Sequence, residues 1–350
     1  MKISLLSAWN SDSGAATHAE FIGREWIKMG HNLSVFSFIK SDSHGNLFLR
    51  KDEPYVVRCF GTPRTNFFNP KPITEKRADI LIVEDLGMLP NNELAKIFPL
   101  LKKGAKTINI IHDNKLSTDP SFYLFDWDKV VVFDQRYKKV FKSVYPEEII
   151  KTIPYPCGPW KVGSQNKARR ELKLPKDKKI ILIFGWWAKT LLPYLSSIKK
   201  ISNVFPIYLL VVSKDQKMKK KYLSFHGKKM KVDFREKIVS IEVLYKYSHA
   251  SDVVIFGDKK AKGVVVCSTA LSLVGAGCPI IVPDSKFFET FKSGVFKYKN
   301  KKELVKKIIT VFKKGKRYKK TLGKMKKFVV NNNPRKIAQK YINLFKKLII

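Results

Sequence analysis

The sequence predicts an α/β protein made of two doubly wound, mostly parallel sheets. Three observations carry this reading. Short apolar segments alternate with amphipathic helical segments along nearly the whole chain. A proline-rich break, Pro154-Tyr155-Pro156-Cys157-Gly158-Pro159, interrupts the alternation once, after which it restarts. The one long uncharged stretch, Val264 to Val282, is punctuated by glycine and proline as a strand–helix–strand unit would be, not as a membrane span.

In chain order, Lys2–Ala8 reads as a strand, Ala15–Met29 as a helix and Asn32–Phe38 as a strand. Asp79–Val83 is a strand, Asn91–Leu101 a helix, and Thr107–Ile111 and Lys129–Phe133 are apolar strands. Gln135–Val144 reads as a helix and Ile149–Ile153 as a short strand. A polar stretch up to Lys179 is linker with a small helix. Beyond it come strand Ile180–Phe184, helix Ser196–Val204, strand Ile207–Val212, helix Val239–Tyr247 and strand Asp252–Phe256. Lys302–Lys313, Tyr318–Val330 and Pro334–Leu348 read as terminal helices. The domains expected are 1–155, a linker with a small helix over 156–178, a second domain over 179–333, and a last helix, 334–350, returning to the first domain. In open parallel sheets ligands bind at the carboxyl ends of the strands, so the cleft between two such domains is the expected site.

Within the uncharged stretch, β-branched Val264-Val265-Val266 reads as a buried strand. Ser268 is read as the N-cap of a short helix from Thr269 to Val274. Gly275-Ala276-Gly277-Cys278-Pro279 stops that helix, and Pro279–Val282 is a second buried strand. The backbone amides at Cys267-Ser268-Thr269 would then form an anion site.

Composition narrows the function classes. The chain has 350 residues, 44% of them hydrophobic, which is ample for two cores. Met1 to Leu6 starts a strand and lacks a cleavable small-residue end, so no secretory leader is expected. Four scattered cysteines form no Cys-x-x-Cys pair; a reducing cytoplasm, with no zinc site, is the simplest reading. The outlier is charge: 69 Lys and Arg against 29 Asp and Glu give +40, with lysines clustered at 217–221, 228–231 and 313–327. Such a field attracts nucleic acid, acidic lipid headgroups or polyphosphates. The basic runs lack the interleaved aromatic residues of a single-strand groove, which disfavours nucleic acid.

The residues resemble a known family. "MKISLLSAWNSDSGAATHAEFIGREWIKMGHNLSVFSF" looks like the opening of GT-B glycosyltransferases, especially the retaining family 4, with Gly30-His31 before the second strand. "VYPEEIIKTIPYPCGPW" resembles the interdomain crossing, and "ARRELKLPKDKKIILIFGWW" the start of the second domain. "EVLYKYSHASDVVIFGDKKAKGVVVCSTALSLVGAGCPIIVPDSKFFETF" resembles the sugar-nucleotide segment, and "NNNPRKIAQKYINLFKKL" the returning helix. The resemblance implies two Rossmann-like domains facing each other across a cleft, and transfer of a sugar from a nucleotide-sugar donor with retention, helped by the donor's own phosphate.

The resemblance also implies roles for residues. Gly14-Ala15 falls at the phosphate-facing turn, His18 on the acceptor side, and His112-Asp113 where the family presents a histidine to the transferred sugar. Gly185-Trp186-Trp187-Ala188-Lys189 replaces a Gly-Arg and following Lys that clamp the diphosphate. Lys189 keeps one cation, and an indole can stack on a sugar or base. Ser268 and Thr269 keep the anion site. Two glutamates of the family fall at Val264 and Ser272, neither of which ionises; Ser272 can still hydrogen-bond a ribose. The resemblance implies no metal or other cofactor. The acceptor it leaves open, and the charge points to an anionic or lipid-linked one at a membrane's inner surface. Two alternatives stand beside this: a degenerate, non-catalytic GT-B protein that binds a glycan or partner, and a basic nucleic-acid-binding protein.

Overall fold

The structure, a computed structural model, describes residues 1–45, 47–237 and 239–349, and its chain divides into two compact units. The first comprises Met1–Pro156, Lys262–Val264 and the chain from Pro334 on. Its strands are β1 (Lys2–Leu6), β2 (Asn32–Phe38), β3 (Val56–Phe60), β4 (Ile80–Glu84), β5 (Lys106–Ile110), β6 (Lys129–Val132) and β7 (Ile150–Thr152). They pair in parallel in the order β3-β2-β1-β4-β5-β6-β7. The order reverses at β1, whose neighbours are β2 and β4, so the carboxyl ends of β1 and β4 form the switch point.

The helices of this unit are α1 (Gly14–Lys28), α2 (Lys71–Thr74), α3 (Asn91–Gly104) and α4 (Gln135–Phe141), together with the C-terminal helix Pro334–Ile349. Ser13 caps α1, its Oγ accepting from the Ala16 amide at 3.0 Å. Gly23 is required by close approach: a Cβ there would lie 3.0 Å from both Leu33 and Trp9. Trp26 fixes the C-terminal helix, donating its indole N–H to the Ala338 carbonyl at 3.2 Å and packing edge-on to Tyr341 and Phe345.

The second unit comprises Cys157–Ala261 and Val265–Asn333. It contains α5 (Gln165–Glu171), β8 (Lys179–Phe184), α6 (Trp187–Leu191), α7 (Leu195–Ile201), β9 (Ile207–Val212), α8 (Gln216–Leu223), β10 (Met230–Arg235), α9 (Ile241–Ala250), β11 (Val253–Ile255), α10 (Ser268–Leu273), β12 (Ile280–Pro283), β13 (Phe296–Tyr298), α11 (Lys301–Phe312) and α12 (Lys316–Asn331). The sheet is parallel, in the order β10-β9-β8-β11-β12-β13. Ile181, Ile183, Leu209, Val211 and Ile281 pack with Ile198 of α7, Tyr222 of α8 and Ile308 of α11 in one core. A buried ion pair ties α5 to the sheet. Arg169 Nη2 lies 2.8 Å from Asp252 Oδ2, which also accepts from the Ile180 amide at 2.8 Å.

The expected strand at Val264–Val266 does not form. β11 already fills the slot between β8 and β12, and the three valines are half-buried loop residues, with Val264 belonging to the first unit. The cap of α10 is Cys267, without a side-chain bond; Ser268, expected as the cap, is its first helical residue. Gly277, at φ +76°, ends the following turn, three residues before β12 begins at Ile280. Among the described residues no helix is long and apolar enough to cross a membrane.

Candidate functional site

At the switch point of the first unit, β4 ends in Glu84, whose carboxylate is fully buried. Three side chains from other elements meet it. Ser7, just past β1, donates to Oε2 at 3.3 Å. His18 of α1 donates from Nδ1 to Oε1 at 3.1 Å. His112, two residues past β5, places Nε2 3.5 Å from Oε2, a close charge contact too long for a good hydrogen bond. Phe133, beyond β6, and Tyr155, beyond β7, wall the two imidazoles, whose rings meet edge-on at 5.2 Å.

The charges sort themselves by contact. Burial raises the Glu84 carboxyl, but the two imidazoles outweigh it and hold it at about 2. Burial pushes His18 down more than Glu84 raises it, so His18 is neutral and carries its proton on Nδ1. At His112 burial is overcome by Glu84, Asp85 and Asp113, and the imidazolium is favoured. A buried carboxylate is thus balanced by one imidazolium, whose side chain keeps 10% of its surface exposed. Asp113 is pushed up to about 6, by burial and then by Asp85. Gly87 makes room for it, since a Cβ at Gly87 would lie 2.6 Å from Asp113 Oδ1.

His112 and Asp113 therefore stand at the carboxyl edge where the sequence places them. His18, expected on the acceptor side, has no exposed surface; its contact is with Glu84, which lets it position His112 but not touch an acceptor directly. Gly14 is half-buried and its carbonyl accepts from the Tyr155 hydroxyl at 2.8 Å, while Ala15 is buried against the core. Glu84 was missed in the sequence; its signal was a lone carboxylate closing the apolar run Ile80–Val83. The donor atoms of His18, Glu84 and His112 lie within 4.8 Å of one another, a set that can also ligate a small cation.

Segment Lys262–Val264 joins this edge. The Val264 amide donates to the Asn114 carbonyl at 2.9 Å, and Gly263 passes so close that a Cβ would lie 1.9 Å from that oxygen. Val264 is thereby held to a residue two positions along the chain from His112.

In the second unit, the carboxyl edge of β8 turns through Gly185 at φ +63° into α6. Trp186 is 45% exposed and stacks on buried Trp187, their ring centroids 4.0 Å apart. Lys259, from the loop after β11, sets its ammonium 4.3 Å from the Trp186 ring centroid. Phe287, after β12, flanks both indoles. Lys189 is exposed on α6 and forms no ion pair among the described residues. Ser268 and Thr269 are half-buried at the start of α10. Ser272, the expected ribose contact, is only 4% exposed, and its backbone carbonyl accepts from the Tyr245 hydroxyl of α9 at 3.0 Å.

No family model matches the chain. Solved structures do. A glycosyltransferase from Rickettsia africae superposes with a TM-score of 0.71 at 16% identity, covering 99% of this chain and 98% of that one. Anabaena HepE, solved in complex with UDP, gives 0.70 at 14% identity, covering 99% and 100%. A trehalose-6-phosphate synthase, solved with bisubstrate glycomimetics to study glycosyl transfer with retention, gives 0.63 at 11% identity, covering 99% of each chain. The likeness extends over both units and gives the chain the GT-B fold.

Proposed function

We propose that the chain is a glycosyltransferase of the hexosyltransferase type, moving a sugar from a nucleotide-sugar donor to an acceptor with retention of configuration. The observation that carries this is the Glu84–His112 pair at the switch point of a GT-B first domain. A buried carboxylate that keeps an adjacent, partly exposed imidazole charged supplies a fixed positive hydrogen-bond donor. Such a group gains strength as negative charge builds on a departing phosphate. Glu84 and His18 are positioning residues; His112 and Asp113 meet the sugar.

The second domain binds the donor. Trp186 offers an aromatic face to the base or sugar, and Lys189, with the backbone at Ser268-Thr269, meets the diphosphate. In this reading these groups answer the leaving charge without a resident metal. The UDP of HepE and the retention studied in the trehalose-6-phosphate synthase support donor class and stereochemistry. The acceptor is anionic or lipid-linked, and the protein works in the cytoplasm at the inner membrane surface, as the +40 charge favours.

A second reading, a GT-B protein that binds a glycan or partner without turnover, is favoured by two placements. Val264 replaces a carboxylate and is tied to Asn114, and Ser272 is buried. One experiment separates the two: nucleoside diphosphates and nucleotide sugars are screened by thermal shift, and any binder is followed by NMR for release of the diphosphate and for the anomer formed. Diphosphate release with a retained anomer supports transfer. Donor or glycan binding without turnover supports the second reading.

A further inference from the structure

We infer that the second domain carries a separate binding site for phosphate groups, at the end of its sheet away from Trp186 and Lys189. In a parallel sheet all carboxyl ends share one edge, and Gly185 to Lys189 stand on it. The amino ends of β9 and β10 lie on the other. There, an open cavity of about 580 Å³ is bounded on one wall by the end of α7 and on the other by the link from α8 to β10. Lys199 and Lys200 stand on the first wall, Lys228 and Lys229 on the second, and no carboxylate lines the space.

The end of α7 accounts in part for Lys199 and Lys200, because cations are favoured at a helix C-terminus. Lys228 and Lys229 have no such reason to be there. Among the described residues the Lys229 ammonium reaches only the Asn203 amide oxygen, at 3.4 Å, and that of Lys199 only the ring of Phe225, at 6.0 Å. None of the four forms an ion pair among the described residues. Like charges gathered around one hollow repel, and an anion within it removes the repulsion.

The charge of the whole chain is distributed to match. Residues 1–156 carry 22 Lys and Arg against 18 Asp and Glu, whereas residues 157–350 carry 47 against 11. The basic character thus belongs to the second part of the chain. Lys217, Lys219, Lys220 and Lys221 belong to α8, the helix that precedes the second wall in the chain. The volume suits a ligand the size of a phosphorylated headgroup or a pyrophosphate, since small-ligand pockets run from roughly 300 to 1,000 Å³. A ligand with two or more negative oxygens is the chemistry that fits a hollow lined by four lysines and no acid. A soluble phosphate compound and an anionic lipid headgroup share it.

The test uses the full chain with UDP present in excess, so that the donor edge is filled. Inorganic pyrophosphate is titrated by calorimetry, and phosphatidylcholine vesicles with and without phosphatidylglycerol are tested by co-sedimentation. Two variants losing equal charge are compared: Lys199→Ala/Lys228→Ala/Lys229→Ala in the cavity, and Lys324→Ala/Lys326→Ala/Lys327→Ala on α12. The expected result is a more than tenfold loss of affinity in the cavity variant and less than a threefold loss in the α12 variant, with UDP affinity unchanged in both. Loss confined to pyrophosphate identifies a soluble ligand; loss extending to phosphatidylglycerol vesicles identifies the headgroup. Equal weakening by both variants, no binding of either probe to the wild type, or displacement of pyrophosphate by an oligonucleotide that binds both variants equally overturns the proposal. UDP binding reports separately on the glycosyltransferase reading.

Discussion

The backbone amide of Val264 donates to the carbonyl oxygen of Asn114 at 2.9 Å, and this bond exists because residue 263 is a glycine. A Cβ at 263 would lie 1.9 Å from the same oxygen, a distance no rotamer change relieves, because the oxygen is backbone and the backbone fixes the Cβ. The replacement Gly263→Ala is therefore expected to detach the segment from the His112 loop. The lost bond is worth about 1 kcal/mol, so the melting temperature should fall only slightly. Amide exchange at Val264 should become fast in Gly263→Ala and stay slow in Lys262→Ala. Continued protection of Val264 in the alanine variant would show that the contact does not depend on the glycine.

A second prediction follows from the charges around Glu84. Its folded carboxyl is held at about 2, below its ordinary 4.5, so its contribution to stability is present above about pH 4.5 and is lost as pH falls towards 2. His112 is raised above its ordinary 6.5, so its contribution is complete below that value and is lost as pH rises through the higher folded value. The two windows overlap between about pH 4.5 and 6.5. There Glu84→Gln should cost most, roughly 3–5 kcal/mol, the range for removing one partner of a buried ion pair. Denaturant unfolding of both proteins across pH checks this. A destabilisation that does not change between pH 3 and pH 9 would mean that Glu84 acts by packing alone.

Much of this architecture was legible because strands buried on both faces must be apolar throughout. Ile80–Val83, Ile180–Phe184 and Ile207–Val212 announce themselves in that way. The strands that escaped sequence reading, Val56–Phe60, Met230–Arg235 and Phe296–Tyr298, are all sheet edges, where one side needs no neighbour and where Lys231, Asp233 and Arg235 are tolerated. Val264–Val266 shows the converse error: β-branched residues in a row, with no vacant slot in the sheet to receive them. For the site, His112 was visible as a histidine closing an apolar run. Glu84, missed in the sequence, closes an apolar run in the same way, but its meaning required His18, 66 positions away, and only the fold brings those two together. The neutral state of His18 likewise comes from burial, which sequence position alone does not reveal.

Trp186 and Lys189 give a third prediction, because they should act on different parts of one ligand. Trp186 is half-exposed and backed by Trp187, so Trp186→Ala should leave the fold intact. It should weaken uridine and UDP alike, by about 1–3 kcal/mol if the base stacks on the indole. Lys189→Ala should weaken UDP by about 1.5–3 kcal/mol, the scale of a hydrogen bond to a charged group, and leave uridine unaffected. Calorimetric titration of both ligands into both variants gives four numbers. Unchanged UDP affinity in Lys189→Ala would take that lysine out of the diphosphate site.

The fourth prediction concerns His112, the side chain on which the proposed chemistry rests. It is held against Glu84 at 3.5 Å, so His112→Ala removes a charged donor at the carboxyl edge and leaves the buried Glu84 carboxylate without its cation, a stability cost that the melting temperature reads separately. If the imidazolium serves the transition state, turnover should fall by about 10²–10³, the effect of removing one preorganised donor, while the affinity for nucleoside diphosphate changes little. The pH profile gives a reading that a purely structural role would not. Turnover should decline on the alkaline side as His112 loses its proton. Glu84→Gln removes the main group that raises the imidazole, so its alkaline limb should move to lower pH, even where the residual rate at acid pH is near that of the wild type. Asp113, pushed up to about 6, should shape the acid limb, and Asp113→Asn should flatten that limb alone. Rates, melting temperatures and diphosphate affinities measured on the same preparations separate these effects. A folded His112→Ala protein that transfers sugar at the wild-type rate would remove His112 from the reaction and leave Glu84 as a structural charge.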